Sequence, residues 1–333
     1  MFTVNHIGLA TLFCVVTMLG WGSWANTQKL AGKDKWAFPL YYWDYAWGVF
    51  LLGITMMLTL GSFGSSGMSA RQNLHQAEPG PLARAFFSGA LFNLSNILLV
   101  VAVDAAGMAV AFPVGVGLAL SIGTVASYLH TPKGNPLLLF TGVAVVMFAI
   151  AMSALAYRKL SLPVGHGWKR GVMFSVLAGC LMGFFYPQLA AALSPDFNLA
   201  PIRPGLLTPY TALALFGAGL LASNGVLNTV FMRVGGLRYR DYLRGTLRLH
   251  SLGFLGGIIW MLALSANLVA SGVVGPAVSY ALGQGAAVVA AIWGVVIWRE
   301  FRNAPQGTNR MLLLMFLGYV CGLTLVGMAG STS

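Results

Sequence analysis

Apolar residues run in long blocks along this chain, and polar residues gather in the short intervals between them. A helix needs roughly 20 apolar residues to cross the hydrocarbon layer of a bilayer. Ten blocks meet that length, at 6–26, 41–63, 85–106, 108–130, 135–157, 169–193, 207–232, 250–272, 275–298 and 310–330. The shortest connections, near Gly107 and Val274, predict tight helical hairpins. The interval 65–84 holds Arg71, His75, Glu78, Pro79 and Pro81 and predicts a solvated loop.

Composition makes the bilayer the solvent for most of the chain. Hydrophobic residues are 58% and charged residues 8% of the 333 positions, and mean hydropathy is +0.79. A soluble domain averages about 25% charged residues, so this chain could not cover a soluble surface. The expected fold is an all-α polytopic membrane protein of ten transmembrane helices. No interval is long enough for a soluble catalytic domain, so an enzyme is not expected. Cys14, Cys180 and Cys321 each lie inside an apolar block and read as small apolar residues. The first block has no basic n-region before it and reads as a retained span, not a signal peptide.

The net charge of +12 bears on topology. Of the 19 Lys and Arg, 15 fall in the odd-numbered connections and only Arg71, Arg84, Lys133 and Arg203 in the others. Basic residues mark cytoplasmic loops, so this bias predicts an inner-membrane protein with both termini outside. The Arg-rich interval Arg233 to Arg248 then faces anionic headgroups or water, and nucleic acid is not an expected partner.

Glycines hint at an internal duplication. Gly8 and Gly20 recur as Gly171 and Gly183 at one offset, and Gly107, Gly115 and Gly117 recur as Gly275, Gly283 and Gly285 at another. Five spans per half is an odd number, so the second half enters the membrane in the opposite sense. The expected organisation is a first five-helix repeat at 1–157, a connection at 158–168 and a second repeat at 169–333. Inverted repeats are typical of secondary transporters, whose substrate sites lie at the midplane between halves. Gly107, Gly115, Gly117, Gly275, Gly283, Gly285 and Pro187 are expected to serve close helix contact and small shifts.

Several short motifs occur in a defined order. The first span ends Leu19-Gly20-Trp21-Gly22-Ser23-Trp24, and the second opens Tyr42-Trp43-Asp44-Tyr45. Leu94-Ser95-Asn96 follows in the third, Gly183-Phe184-Phe185-Tyr186-Pro187 in the sixth and Thr208-Pro209-Tyr210-Thr211-Ala212-Leu213 at the seventh. The ninth ends Trp293-Gly294, then Arg299-Glu300-Phe301-Arg302. With ten spans in two fives, the chain resembles the drug/metabolite transporter superfamily. This set of motifs is most similar to the ureide permease family and the neighbouring glucose/ribose and rhamnose porters. Plant ureide permeases carry a long central loop with a nucleotide-binding-like motif. Here that connection is short, and no Gly-x-x-x-x-Gly-Lys-[Ser/Thr] occurs, so coupling to ATP is unsupported. The resemblance implies proton-coupled import of a small polar solute, a ureide or nucleobase such as allantoin or uracil, or else a sugar. Export of metabolites or drugs is the rival within the superfamily.

Polar residues inside the spans are the candidates for that work, because an unsatisfied polar group in hydrocarbon is costly. A carboxyl group in low dielectric can take up and release a proton near neutral pH. Asp44 and Asp104, each near a span end, are the candidate proton carriers, with Lys35 a possible ion-pair partner for Asp44. Glu300, between Arg299 and Arg302, reads as an interfacial ion pair. His250, at an Arg-rich span start, reads as interfacial. Asn93, Asn96, Asn228 and Gln284 offer donors and acceptors together, which suits a ureide, nucleobase or sugar. Trp21, Trp24, Tyr186 and Trp260 offer aromatic faces for a flat ring. The alternative role for each is helix packing or the interfacial belt. No His or Cys pair has metal-ligand spacing, and no cofactor is expected. The expected partners are the solute, protons and lipid. The chain is expected as a monomer or homodimer.

Overall fold

The computed structural model describes residues 1–333 except 33–34, 65–66, 161–167, 196, 199–201 and 332–333. The connection expected at 158–168, with His166, therefore lies largely outside the described residues.

The chain is a bundle of long helices. In order they are α1 (Ile7–Ser23), α2 (Ala25–Ala31), α3 (Phe38–Leu58), α4 (Ala70–Gln76), α5 (Pro79–Ala106), α6 (Met108–His130) and α7 (Pro136–Leu160). The second set is α8 (Trp168–Ala191), α9 (Pro209–Val234), α10 (Tyr239–Leu243), α11 (Leu247–Val274), α12 (Pro276–Gly283), α13 (Ala286–Ile292) and α14 (Thr308–Ser331), with a π-helical turn at Trp293–Ile297 after α13. Proline opens α3, α5, α9 and α12, where its fixed φ fits the helix and its missing N–H is not needed.

Among the described residues, nine segments are long and apolar enough to span a membrane. The expected tenth, α3, is 21 residues long and is not among these nine, because its first half is rich in Tyr and Trp. Tyr41, Tyr42, Trp43, Asp44, Tyr45 and Trp47 stand where other spans carry Leu or Val. Its surroundings explain this: α3 packs between α9 and α11, and most of it is buried in protein.

Around α3, α5 packs on α8 and α9, α11 on α1 and α3, α8 on α6, and α1 on α12 and α13. At the periphery α7 pairs with α14. Two hairpin glycines set the topology. Gly107 (φ 79°) joins α5 to α6 and Gly275 (φ 87°) joins α11 to α12, each in a conformation that a side chain resists. Two others allow close approach: a Cβ at Gly219 would meet the Phe86 carbonyl, and one at Gly48 the Phe254 carbonyl. Large apolar side chains such as Leu129, Leu137 and Val226 point outward, whereas Asn93, Asn96, Asn224, Asn228 and Asn267 are buried. Such a distribution suits a protein whose solvent is lipid.

Two short helices sit at opposite ends of the bundle. Helix α4 begins in a capping box, Ser69 with Gln72. Buried Asn73 donates to the Leu206 carbonyl (2.9 Å) and accepts from the Thr208 N–H (2.9 Å). Gln76 donates to the same carbonyl (2.7 Å) and accepts from the Gly205 N–H (2.6 Å). These bonds tie α4 to the connection between α8 and α9. At the other end, α10 is held through Tyr242.

Candidate substrate and coupling site

Six helices each contribute a ring to one buried cluster. Trp260, midway along α11, has its ring centroid 4.2 Å from Phe92 (α5), 5.6 Å from Phe216 (α9), 5.9 Å from Trp21 (α1) and 6.5 Å from Tyr45 (α3). Phe185 (α8) closes on Phe92 at 5.1 Å. Trp24, in the break between α1 and α2, lies 5.1 Å from Tyr45. The ring pairs are offset, stacked or edge-on, the geometries aromatic quadrupoles favour.

Polar groups are buried along the same helices. Asn96 donates to the Tyr42 hydroxyl (3.1 Å), and Asn93 to Ser223 (2.9 Å). Asn228 donates to the Pro39 carbonyl (2.9 Å). Tyr186 shares a hydrogen bond with Ser279 (2.8 Å). Asn267 donates to the Ser279 carbonyl (2.8 Å) and accepts from its hydroxyl (3.2 Å). Several buried atoms have no hydrogen-bond partner: Trp21 Nε1, the Tyr45 hydroxyl, Asn93 Oδ1, Asn228 Oδ1 and both ends of the Asn224 amide. A buried unsatisfied group costs about 1–3 kcal/mol, and those of Trp21 and Tyr45 sit on two rings of the cluster.

The ninth span tightens its turn beside Trp21. Helix α12 stops at Gly283 and α13 starts at Ala286, with half-buried Gln284 in the turn. A Cβ at Gly283 would meet Trp21, Asn267 and Thr17, and one at Gly285 would meet Met18. The turn thus packs closely against α1 and α11. Gly115 packs on Leu99 and Gly117 on Met147, within an uninterrupted α6. Pro187 is buried in α8, which runs through it.

Asp44 anchors a second site at the basic end. It is buried in the second turn of α3. Tyr242 Oη donates to its Oδ1 (2.7 Å), and His250 Nδ1 lies 2.9 Å from Oδ2 and 3.0 Å from Oδ1. Trp36 packs on both partners, 6.1 Å from Tyr242 and edge-on to His250 at 5.1 Å. Burial and the adjacent carboxylate push the Tyr242 phenol above its ordinary range, so it stays a proton donor at neutral pH. The partners of Asp44 are therefore His250 and Tyr242, where the sequence suggested Lys35. His250 itself, expected as an interfacial residue, faces the carboxylate. Glu300 likewise differs from expectation. Its partners are Lys29 (2.6 Å) and Tyr157 (3.0 Å), not the flanking arginines, because the chain turn after Trp298 aims it back at α2 and α7. Asp104 is exposed on the last turns of α5 and does not join Asp44.

The structure thus gathers Trp21, Trp260, Asn93, Asn96, Asn228 and Tyr186 into the bundle interior, with Trp24 at its edge. Sequence reasoning passed over Asn267, Tyr42, Tyr45, Phe92, Phe185 and Phe216. Asn267 stands in an apolar run as Asn96 does, and the same argument could have found it. The phenylalanines carry no polar signal. Among the described residues no three His, Cys, Asp or Glu gather as metal ligands. A surface groove of about 260 Å³ lies between Val16, Gly20, Ile259 and Ala263, with a mostly apolar lining.

No protein-family model matches the chain. Over 98% of its length it is 22% identical to ureide permease 1 of Arabidopsis thaliana, and over 98% likewise 22% identical to ureide permease 2, covering 98% of each. A protein solved by crystallography superposes with a TM-score of 0.59 over 95% of this chain and 97% of that one, at 17% identity, which speaks to fold alone. The chain is a multi-pass membrane transporter. Homology to permeases along its whole length, together with its many apolar helices, carries that statement.

Proposed function

We propose that this transporter imports a small polar solute with a proton by alternating access, and that the solute is a ureide or nucleobase. The observation that carries the reading is the ring cluster around Trp260, with its unpartnered Trp21 N–H and Tyr45 hydroxyl, beside a tightened turn in the ninth span. Flat rings give stacking faces, and carboxamides give paired donors and acceptors. The likeness to ureide permeases favours ureides, and the same groups would also suit a sugar.

Two five-helix halves of opposite sense provide the moving parts. The packing of α1 on α11 has its counterpart in α8 on α5, and α3 on α11 in α9 on α5. The packing of α1 on α12 and α13 answers that of α8 on α6. Exchange of each long helix for the one five places on leaves this scheme unchanged, as an inverted repeat requires. With basic loops inside, the Asp44 end faces the cytoplasm.

Asp44 is the proton carrier in this scheme. As a carboxylate it holds Tyr242 and His250, closing the basic end over α3 and α11. Protonation weakens both bonds, frees α10 and opens that end. Loss of the proton resets it. Asp104, exposed and apart, is a weaker candidate for the same role.

Proteoliposomes with an imposed pH gradient test the proposal. Labelled allantoin or uracil should accumulate with the gradient. Asp44→Asn should abolish accumulation while leaving exchange at equal pH. Unchanged accumulation in both Asp44→Asn and Asp104→Asn would refute proton coupling through these acids. Uptake of neither solute, with efflux from everted vesicles instead, would favour the exporter.

A further inference from the structure

The connection from α9 to α11 presents a surface that the transport scheme leaves unused. Arg233, Arg238, Arg240, Arg244 and Arg248 are all exposed along it. Its single acid, Asp241, is engaged with the Arg238 backbone N–H (2.8 Å). Large apolar side chains alternate with these cations: Val234 is 82% exposed, Leu243 77% and Leu247 84%. Val234 ends α9, Leu247 starts α11 and Leu243 ends α10 between them. Val234 and Leu247 thus stand at the facing ends of two membrane-long helices, with Leu243 in the connection between them.

Water is a poor neighbour for three such side chains, and a soluble anion would leave them uncovered. A lipid surface satisfies both groups at once, acyl chains meeting Leu and Val and negative headgroups meeting Arg. We propose that this connection is a binding surface for anionic lipid in the leaflet on the basic side. Its inner face makes the contact consequential. Tyr242, on the same short helix, donates to Asp44 (2.7 Å). Tyr239 bonds Thr229 and packs on Trp43 at 5.8 Å. A lipid that seats α10 thereby steadies the donor to the buried carboxylate. The inference stands whatever solute is carried.

Native mass spectrometry of the purified full-length protein tests it, with phosphatidylglycerol and phosphatidylcholine as probes. Wild type should retain phosphatidylglycerol in preference. Each interfacial arginine adds a similar increment, so the triple change Arg238→Gln, Arg240→Gln, Arg244→Gln should weaken that binding about a hundredfold. The triple change to Lys keeps the point charges and should keep most of it, which separates loss of charge from misfolding. Glycerol phosphate should not compete. Equal retention of both lipids, undiminished binding in the Gln variant, or displacement by glycerol phosphate would each overturn the proposal.

Discussion

The two ends of the bundle are closed by different chemistry. At one end α4 is tied down by Asn73 and Gln76, whose carboxamides bond main-chain groups of residues 205–208. None of the atoms in those bonds titrates near neutral pH. At the other end α10 is tied by a phenol, beside an imidazole, to one carboxylate. The short helices occupy matching places in the chain order, α4 between α3 and α5 and α10 between α9 and α11. The contrast teaches that a proton can act directly on only one of these closures. The other must respond to substrate, or to motion passed through the bundle.

The largest expected effect is at Asp44. Asp44→Asn should lower pH-driven accumulation at least about tenfold, as loss of an essential proton carrier does. Asp44→Ala should also cost stability, though less than the ~3–5 kcal/mol of a fully buried broken pair, because the His250 side chain is 27% exposed. Guanidine-free thermal unfolding in detergent would read the second effect and vesicle uptake the first.

Asn73→Ala probes the other end. It leaves the buried Thr208 N–H without its partner and should destabilise by about 2–3 kcal/mol. That loss should be the same at pH 5.5 and pH 8. A loss that varied between those conditions would place a titrating group in this closure as well. His250→Gln should be milder for the fold, since the amide can still donate to Asp44, but it should shift the pH midpoint of uptake.

Tyr242→Phe should have a smaller effect, about 1 kcal/mol or somewhat more for one charge-assisted bond. Its signature is faster hydrogen exchange in 239–248 with 70–78 unchanged. Wild type offers a matching test at alkaline pH. The phenol of Tyr242 is raised in the folded state. Its contribution is therefore whole below the ordinary phenol value of about 10 and declines as pH rises above that. Protection of α10 should fall there, and Tyr242→Phe should show no such fall.

Much of the fold was legible in the sequence because its signal is one-dimensional. Long apolar runs gave the helices, and Gly107 and Gly275 marked the hairpins that the backbone confirms. Helix α3 departed from that rule, since a helix sheltered by α9 and α11 has no need of Leu on every face. The site was legible in part. Buried Asn and Trp stand out from an apolar background, so Asn96, Trp21 and Trp260 could be singled out. The link from His250 to Asp44 crosses more than 200 positions, and Phe92, Phe185 and Phe216 look like any core phenylalanine until six helices bring the rings together.

The most direct test of the two-ended account is hydrogen exchange followed by mass spectrometry at both short helices, in wild type and Asp44→Asn. After correction for intrinsic rates, acidification from pH 8 to pH 5.5 should loosen 239–250 in wild type but not in the variant. Segments 70–78 and 203–208 should stay unchanged in both. Equal loosening at the two ends, or an α10 region indifferent to pH in wild type, would contradict the account.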